Sequence, residues 1–308
     1  MTNREKYSLL CERESLPLHA QAWWWERASK QHEWDVLFLE DESGEPLAAM
    51  PYQTVRRLGL RAMLMPVHTQ YEWVWIRPEA PADIYARLAQ ALEDLCRAQR
   101  IVWVQLQGFL PLPLIEALAA RGFCARERVT YRIDTIPSRS ELPSLFSENK
   151  RRQLRKAKDL RLTDLTPQAF YAFHRTCLAA QGKRIDYRED WADAVLTEAV
   201  KRGSGRLLAA QDKEGNNLAA LFLAWDDRTA YYLMPTYAPA AKDSGAVAWL
   251  TAEALEIARD KGLAFDFEGS MTPSIASSYR QFGGKAVVYH RIEKYYHFLI
   301  RCYARLRS

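Results

Sequence analysis

Apolar and polar positions alternate with two periods along this chain, and each period occurs in both halves. Segments 36–52 and 206–224 each contain two short apolar runs around a glycine-containing turn, which predicts a pair of strands joined as a hairpin. Segments 83–97 and 246–261 carry apolar residues at helical spacing, which predicts two amphipathic helices. The helix follows the strands in each half, so the same order of elements is predicted twice.

The segments after these two helices also correspond. Each half continues with a buried strand closed by glycine, a second helix with a glycine turn, and a final strand, over 100–108, 113–123 and 131–134 and again over 261–269, 274–284 and 290–293. Such self-similarity predicts two copies of one unit, here residues 1–146 and 147–308. Hairpins followed by helix–strand–helix–strand predict an α+β fold, in which each unit has a mixed sheet with helices on both faces.

Length and composition agree with two folded domains. A chain of 308 residues with 48% hydrophobic residues can bury two cores. Its five cysteines are scattered, without a Cys-x-x-Cys pair or a Cys/His cluster, which predicts reduced thiols, a cytoplasmic protein and no metal site. The polar N-terminus and the lack of a long apolar segment predict neither a secretory signal nor a membrane-spanning helix.

Positive charge is concentrated in one segment between the two halves. Residues 149–161 hold seven basic residues and one acidic residue, whereas the whole chain has a net charge of +5. We predict a basic helix over 147–161, and its candidate ligand-binding side chains are Lys150, Arg151, Arg152 and Arg155. Two interpretations stay open: a solvated helix face with nearby counter-charges, or a site for a phosphate-bearing ligand such as a nucleotide sugar or transfer RNA.

This organisation resembles the tandem acyltransferases of the GNAT superfamily, and among them the Fem-type peptidyl and aminoacyl transferases and their uncharacterised relatives. Three segments carry the resemblance: the basic helix at 147–158, the Phe-Asp-Phe-Glu-Gly run at 265–269 with Tyr-Arg-Gln-Phe-Gly at 279–283, and the Thr-Gln segment at 65–71. The resemblance implies two fused GNAT-like domains and an N-acyltransferase. It also implies acyl-CoA or aminoacyl-tRNA as a co-substrate, no tightly bound cofactor, and an amine acceptor such as a peptidoglycan or nucleotide-sugar precursor.

The resemblance also indicates where the donor would bind. A GNAT-like unit holds the donor pyrophosphate at the turn that opens a helix, because free backbone N–H groups and the helix dipole attract an anion. In the second half this turn contains Ser244 and Gly245, our candidate donor-binding residues. It lacks the glycine-rich loop of acetyl-CoA-dependent members, and capping of the helix by Ser244 explains the residue equally well. Acyl-CoA, aminoacyl-tRNA and other acyl carriers therefore stay open.

Two acidic residues alternate with phenylalanines near the end of the predicted strand 265–269. Alternation predicts that Asp266 and Glu268 face one side of the sheet, where either can act as general base for an attacking amine. The alternative is that Asp266 pairs with a basic residue while Glu268 points to solvent. Other candidates are Gly269 and Ser270 for substrate binding, Arg280 for clamping a carboxylate or phosphate, and Tyr237 or Tyr279 as proton donor to the leaving group.

The C-terminal stretch 294–307 is aromatic and basic. It is expected either to dock on its own domain as a helix or to touch an anionic inner membrane surface. A second functional hypothesis is a non-catalytic nucleic-acid or precursor-binding protein on a degenerate GNAT scaffold. Convergence of Asp266, Glu268 and Arg280 on an open cleft would favour the enzyme, whereas a filled cleft beside an exposed basic helix would favour the binding protein.

Overall fold

The structure is a computed structural model that describes residues 1–29, 32–57, 59–71, 74–185, 187–297 and 300–302. These residues form two compact units. The first unit comprises Met1–Arg128 and Val288–Ser308, and the second unit comprises Val129–Val287.

The first half of the chain contains helices α1 to α4 and strands β1 to β6. The helices are α1 (Asn3–Arg13), α2 (Ala22–Ala28), α3 (Ile84–Ala98) and α4 (Leu112–Ala119), with a short 3-10 helix at Leu18–Ala20. The strands are β1 (Glu33–Glu40), β2 (Pro46–Arg57), β3 (Leu60–Leu64), β4 (Trp75–Ile76), β5 (Ile101–Gly108) and β6 (Cys124–Ile133). The hairpin, helix and strands predicted for this half are thereby confirmed.

The second half contains helices α5 to α10 and strands β7 to β12. The helices are α5 (Leu142–Leu145), α6 (Glu148–Lys156), α7 (Pro167–Ala180), α8 (Glu189–Lys201), α9 (Ala246–Asp260) and α10 (Pro273–Gln281), with a 3-10 helix at Pro239–Ala241. The strands are β7 (Arg161–Asp164), β8 (Gly205–Gln211), β9 (Asn217–Trp225), β10 (Thr229–Tyr237), β11 (Ala264–Asp266) and β12 (Lys285–Tyr295).

The sheet of the first unit has the strand order β1-β2-β3-β5-β12, and β4 also pairs with β2. Strands β1, β2 and β3 are antiparallel neighbours, whereas β3 and β5 run parallel because helix α3 connects them as a crossover. Strand β12 is the last strand in this order and is antiparallel to β5, with His290 opposite Gly108.

The sheet of the second unit repeats this plan in the order β6-β11-β10-β9-β8-β7. Strands β8, β9 and β10 are antiparallel neighbours, and β10 and β11 run parallel with α9 as the crossover. Strand β6 is antiparallel to β11, with Ile133 opposite Phe265. The α+β class and the repeated mixed sheet, both predicted from the sequence, are confirmed.

The last strand of each half completes the other unit. Strand β12 pairs with β5 in the first unit, and the end of β6 pairs with β11 in the second. The limits of the compact units therefore differ from the division at residues 146 and 147. The repeat describes the order of elements along the chain, whereas the units describe which strands pair.

Each unit buries its own core. The core of the first unit lies between its sheet and helices α3 and α4, and includes Leu88, Leu92 and Val104 from the first half together with Ile292 from β12. The core of the second unit is built around α9 and includes Leu255 and Phe265, and Ile133 from β6 belongs to it.

The basic helix is shorter than predicted. Ser147 caps its start by accepting the backbone N–H of Lys150, but helix α6 ends at Lys156. Ala157 leaves the helical region and Asp159 has a positive φ of 59°, so the chain turns and continues into strand β7. Lys158 therefore does not share a helix face with the arginines of α6.

Candidate active site

The candidate site lies where strands β10 and β11 separate in the second unit. Thr229–Tyr231 pair in parallel with Ala264–Asp266, and β11 ends there while β10 continues. Strand β10 shifts register against β9 between Leu233 and Thr236, and Met234 within this shift has a positive φ of 50°. Ligands of open α/β sheets commonly bind beyond the carboxyl ends of the strands, and the residues after β11 occupy such a position.

Asp266, the last residue of β11, is buried and held in place. Its Oδ1 accepts hydrogen bonds from Thr130 Oγ1 at 2.5 Å and from the backbone N–H of Glu268 at 2.8 Å, and Arg132 Nε lies 3.8 Å from Oδ2. Sequence reasoning missed Thr130 and Arg132, because strand β6 meets β11 through a pairing of distant segments. Asp266 is therefore a fixed anionic anchor for the turn that carries Glu268.

Glu268 lies beyond the end of the strand. Glu268 and Gly269 both have a positive φ of 64°, so strand alternation does not place the second carboxylate, contrary to our expectation. The residue is partly exposed, but its Oε1 is shielded from solvent. Burial, and to a lesser extent the charge of Asp266, raise the pKa of Glu268 well above its ordinary value. The titration of this carboxyl group is thereby shifted towards neutral pH.

Tyr279 on α10 packs beside this turn. Its ring stacks on Phe267 with a centroid distance of 4.7 Å and meets Tyr232 edge-on at 6.3 Å. Burial raises the pKa of Tyr279, and its neighbours Tyr232, Glu268 and Asp266 raise it further. Tyr279 therefore lies close enough to both carboxyl groups for their charges to act on it, and the phenol keeps its proton over the range in which a carboxyl group titrates.

The other residues predicted around this strand have different surroundings. Arg280 is exposed and donates a hydrogen bond to the hydroxyl of Tyr131 at 2.8 Å. Tyr237 packs against the hydrophobic core of the second unit. Ser270 Oγ accepts the backbone N–H of Thr272 at 3.1 Å, just before α10 begins. Their roles in catalysis and substrate binding stay predictions.

Other parts of the chain occupy the turn that opens α9. Ser244 Oγ donates to the carbonyl of Ala241 at 2.7 Å and accepts the N–H of Ala246 at 3.1 Å, so this side chain already occupies the first N–H of the helix. Gly245 has a positive φ of 81°, and a Cβ there would lie 2.1 Å from the carbonyl oxygen of Gln153 in α6. A backbone carbonyl, whose oxygen carries partial negative charge, therefore faces the turn where a donor pyrophosphate was expected.

Lys150 is the buried cation of the basic helix. Its Nζ donates a hydrogen bond to Ser278 Oγ at 2.9 Å and lies 4.3 Å from the ring centroid of Phe282. Burial lowers the pKa of Lys150 to about 8. This side chain therefore joins α6 to α10, the helix that also carries Tyr279.

The arginines of the basic helix are only partly neutralised. Arg151 and Arg155 lie 2.9 Å and 2.8 Å from the carboxylate of Glu148. Arg155 and then Arg151 lower the pKa of Glu148. Arg152 donates to the side chain of Asn149 at 3.2 Å, and no acidic group of the described residues forms an ion pair with it. The helix therefore carries two arginines that pair with Glu148 and a third, Arg152, whose charge is exposed.

The Thr-Gln segment 65–71 follows strand β3 in the first unit. Thr69 Oγ1 accepts a hydrogen bond from Trp24 Nε1 at 2.9 Å, and Gln70 Nε2 donates to the hydroxyl of Tyr289 at 2.7 Å. The segment is therefore ordered at the carboxyl end of β3, which corresponds to the end of β10 in the second unit.

Two broader features bear on membranes and metals. Within the part of the chain that the structure describes, no helix is both long and apolar enough to cross a bilayer. The same residues contain no group of three or more His, Cys, Asp or Glu side chains arranged to hold a metal ion. Of the C-terminal stretch, residues 298, 299 and 303–307 lie outside the described residues, and its contact with a membrane surface stays a prediction.

Comparison with known proteins relates this chain to the acetyltransferases. The sequence model of the acetyltransferase (GNAT) domain matches residues 146–274. The crystal structure of FemX is similar over 100% of this chain and 99% of that chain, with a TM-score of 0.69 and 11% identity. No curated protein has a matching sequence.

Two further solved structures extend the comparison. The C-terminal domain of a putative lysylphosphatidylglycerol synthetase from Agrobacterium fabrum has a TM-score of 0.60 at 13% identity, covering 99% of this chain and 95% of that chain. A tandem GNAT protein from the clavulanic acid biosynthesis pathway has a TM-score of 0.56 at 14% identity. The similarity covers 96% of this chain and 94% of that chain. At such identities the likeness concerns the fold. The GNAT-like fold that the resemblance implied is thereby confirmed, and the family model matches a GNAT domain within the second half of the chain.

Proposed function

We propose that this Fem-like protein of the GNAT superfamily is an acyltransferase that moves an acyl or aminoacyl group onto an amine at the end of strand β11. The observation that carries the proposal is Glu268, a carboxyl group with a raised pKa on a strained turn beside the fixed carboxylate of Asp266. A general base works best when its pKa lies near the operating pH, which both burial and the Asp266 charge favour here.

The proposed step requires proton transfers at two places. As the amine nitrogen attacks the carbonyl carbon of the donor, Glu268 takes the proton that the nitrogen loses. The new C–N bond replaces the C–O or C–S bond to the carrier, and the leaving oxygen or sulfur takes a proton from Tyr279. Exchange with solvent then returns a proton to Tyr279 and removes the proton held by Glu268, so that both groups are restored. Asp266 holds the turn that carries Glu268 in place, since it accepts hydrogen bonds from Thr130 and from the Glu268 N–H and lies 3.8 Å from Arg132 Nε.

We propose aminoacyl-tRNA rather than acyl-CoA as the donor. Support comes from the turn that opens α9, where the carbonyl of Gln153 packs against Gly245 and Ser244 already bonds to its neighbours. A pyrophosphate at this turn would meet a carbonyl oxygen instead of free N–H groups. Exposed Arg152, with Arg151 and Arg155, offers contacts to the phosphates of the RNA.

The test measures transfer of radioactive label to an amide. Purified protein is incubated with either a mixture of 14C-aminoacyl-tRNAs or 14C-acetyl-CoA, together with amine acceptors that include peptidoglycan precursors and nucleotide sugars. We expect label transfer from aminoacyl-tRNA, with kcat lowered about 10²–10⁴-fold in Glu268→Gln. The matched control Glu214→Gln removes an exposed carboxylate in the turn after β8 and is expected to keep wild-type turnover.

Two other outcomes would change the proposal. Transfer from acetyl-CoA alone would assign the donor to the CoA thioesters. Specific binding of tRNA or a precursor without transfer from any donor would instead identify a non-catalytic binding protein on a GNAT scaffold.

A further inference from the structure

The first unit contains a polar cavity beside strands β6 and β12. It has a volume of about 470 Å³ and lies at the start of β6 and the end of β12. Strand β12 places His290 opposite Gly108, at the carboxyl end of β5, and Tyr295 opposite Trp103 near its other end. The β12 residues that line the cavity therefore extend from Arg291, opposite Gln107, to Tyr295.

Basic side chains predominate in the lining of this cavity. The charged residues that line it are the cations Arg126, Arg128, Arg291, Lys294 and Arg301 and the anions Glu127 and Glu293. Side chains of one charge sign seldom gather in a half-enclosed space without a counter-charge, because burial weakens their solvation and leaves their repulsion poorly screened.

Some of these cations have partners within the protein. Glu293 is buried and lies 2.8 Å from Arg291 Nε and 3.8 Å from Arg126 Nε. Lys294 Nζ lies 2.6 Å from the carboxylate of Glu93 and donates a hydrogen bond to a backbone carbonyl. Glu293 is thus shared between two arginines, and Lys294 is neutralised from outside the cavity.

Arg128 and Arg301 remain without an anionic partner among the described residues. The Nε of Arg128 is shielded from solvent and has no hydrogen-bond acceptor there. Arg301 is exposed and forms no ion pair with the described acidic groups. Burial lowers the pKa of Arg291; the charge of Glu293 opposes this effect, whereas the nearby charges of Arg128 and Arg126 add to it. The cations therefore crowd one another, and an added anion would relieve this repulsion.

We propose that this cavity binds a phosphate group, held chiefly by the guanidinium groups of Arg128 and Arg301 with Arg291 beside them. Guanidinium groups match the oxygen geometry of phosphate with paired hydrogen bonds. A phosphate would accept hydrogen bonds from the guanidinium groups of Arg128 and Arg301, and its negative charge would offset the local excess of positive charge. The cavity volume lies within the range of small-ligand sites. The ligand is therefore a phosphorylated small molecule or the headgroup of a phospholipid, and this site is independent of the proposed acyl transfer.

Inorganic pyrophosphate is the first probe. Its binding is measured by isothermal titration calorimetry to the full chain and to Arg128→Gln, Arg301→Gln and Arg175→Gln. Loss of one charge-assisted hydrogen bond is expected to weaken binding at least about tenfold in the first two variants. Arg175 is an exposed residue of α7 in the second unit, so Arg175→Gln removes the same charge elsewhere and is expected to bind like wild type. Arg301 is exposed, so Arg301→Gln is expected to fold normally. It therefore tests the site even if Arg128→Gln does not fold.

A second measurement distinguishes the two sources of phosphate. Cosedimentation with phosphatidylglycerol vesicles is compared with phosphatidylcholine vesicles for the same variants. Binding of pyrophosphate that depends on Arg128 and Arg301 supports a soluble ligand. Binding of phosphatidylglycerol vesicles that depends on the same two residues supports a lipid headgroup. Binding of both probes that is unchanged in Arg128→Gln and Arg301→Gln, or absent in wild type, would overturn the proposal.

Discussion

Glu268 combines an unfavourable backbone conformation with an unfavourable charge. A positive φ costs a non-glycine residue of the order of 1–2 kcal/mol, and burial disfavours the ionised carboxylate. The turn is kept because its N–H binds the anchored carboxylate of Asp266. Strain of this kind is concentrated at functional sites, where a side chain must be held in one orientation. Glu268 is therefore the residue whose chemistry is most sharply testable.

The raised pKa of Glu268 predicts a particular dependence of stability on pH. Between the ordinary pKa and the raised one, the folded protein binds more protons than the unfolded chain, so the free energy of unfolding decreases as pH rises. Glu268→Gln removes this group. We expect urea denaturation to show a smaller loss of stability from pH 5 to pH 8 in Glu268→Gln than in wild type. Parallel pH profiles for the two proteins would contradict the raised pKa.

At the scale of secondary structure, the contact between α6 and α9 depends on one glycine. The backbone of Gly245 has a left-handed conformation and is in direct contact with the carbonyl of Gln153, so a side chain there meets backbone atoms that cannot rotate away. The sequence showed a glycine beside a possible cap, and the resemblance to the GNAT superfamily implied an anion site at this turn. It could not show that another helix covers the turn, because that contact is made by residues distant in sequence.

Replacement of this glycine separates the cost of conformation from the cost of contact. Gly262 also has a left-handed conformation, with φ of 70°, but a Cβ there meets no atom within 4 Å. We expect Gly262→Ala to lower the free energy of unfolding by about 1–2 kcal/mol, the conformational cost alone. Gly245→Ala is expected to lower it further, because α6 must move. Equal losses in urea denaturation would show that α6 does not press on this turn.

The basic helix provides a second prediction at this scale. Glu148 neutralises part of the charge of Arg151 and Arg155, whereas Arg152 has its charge exposed. We expect Glu148→Gln to bind tRNA more tightly than wild type, and Arg152→Ala to bind it more weakly with a salt slope reduced by roughly 0.7–0.9. Filter binding at several salt concentrations measures both. Glu214→Gln changes the net charge by the same amount as Glu148→Gln, and equal effects of the two would mean that α6 does not contact RNA.

At the scale of the whole molecule, the sequence predicted the order of elements better than their pairing. Helical spacing in α3 and α9 and the hairpins β1–β2 and β8–β9 are local patterns, and the structure confirms them. The exchange of β6 and β12 is not local. Arg132 reaches Asp266 only because β6 pairs with β11, so the partners that anchor the site could not be read from residues near it.

This exchange predicts how the chain responds to division between residues 146 and 147. Fragment 1–146 lacks β12, whose Ile292 is 1% exposed in the core of the first unit, and fragment 147–308 lacks β6, whose Tyr131 and Ile133 belong to the core of the second. Each lost apolar side chain removes about 1.5–3 kcal/mol of burial, and β5 and β11 lose the backbone partners on one side. We expect neither fragment alone to show a cooperative thermal transition by circular dichroism, whereas the two expressed together recover one. A transition of fragment 147–308 at the temperature of the full chain would show that the second unit folds without β6, and that the repeat is also the folding unit.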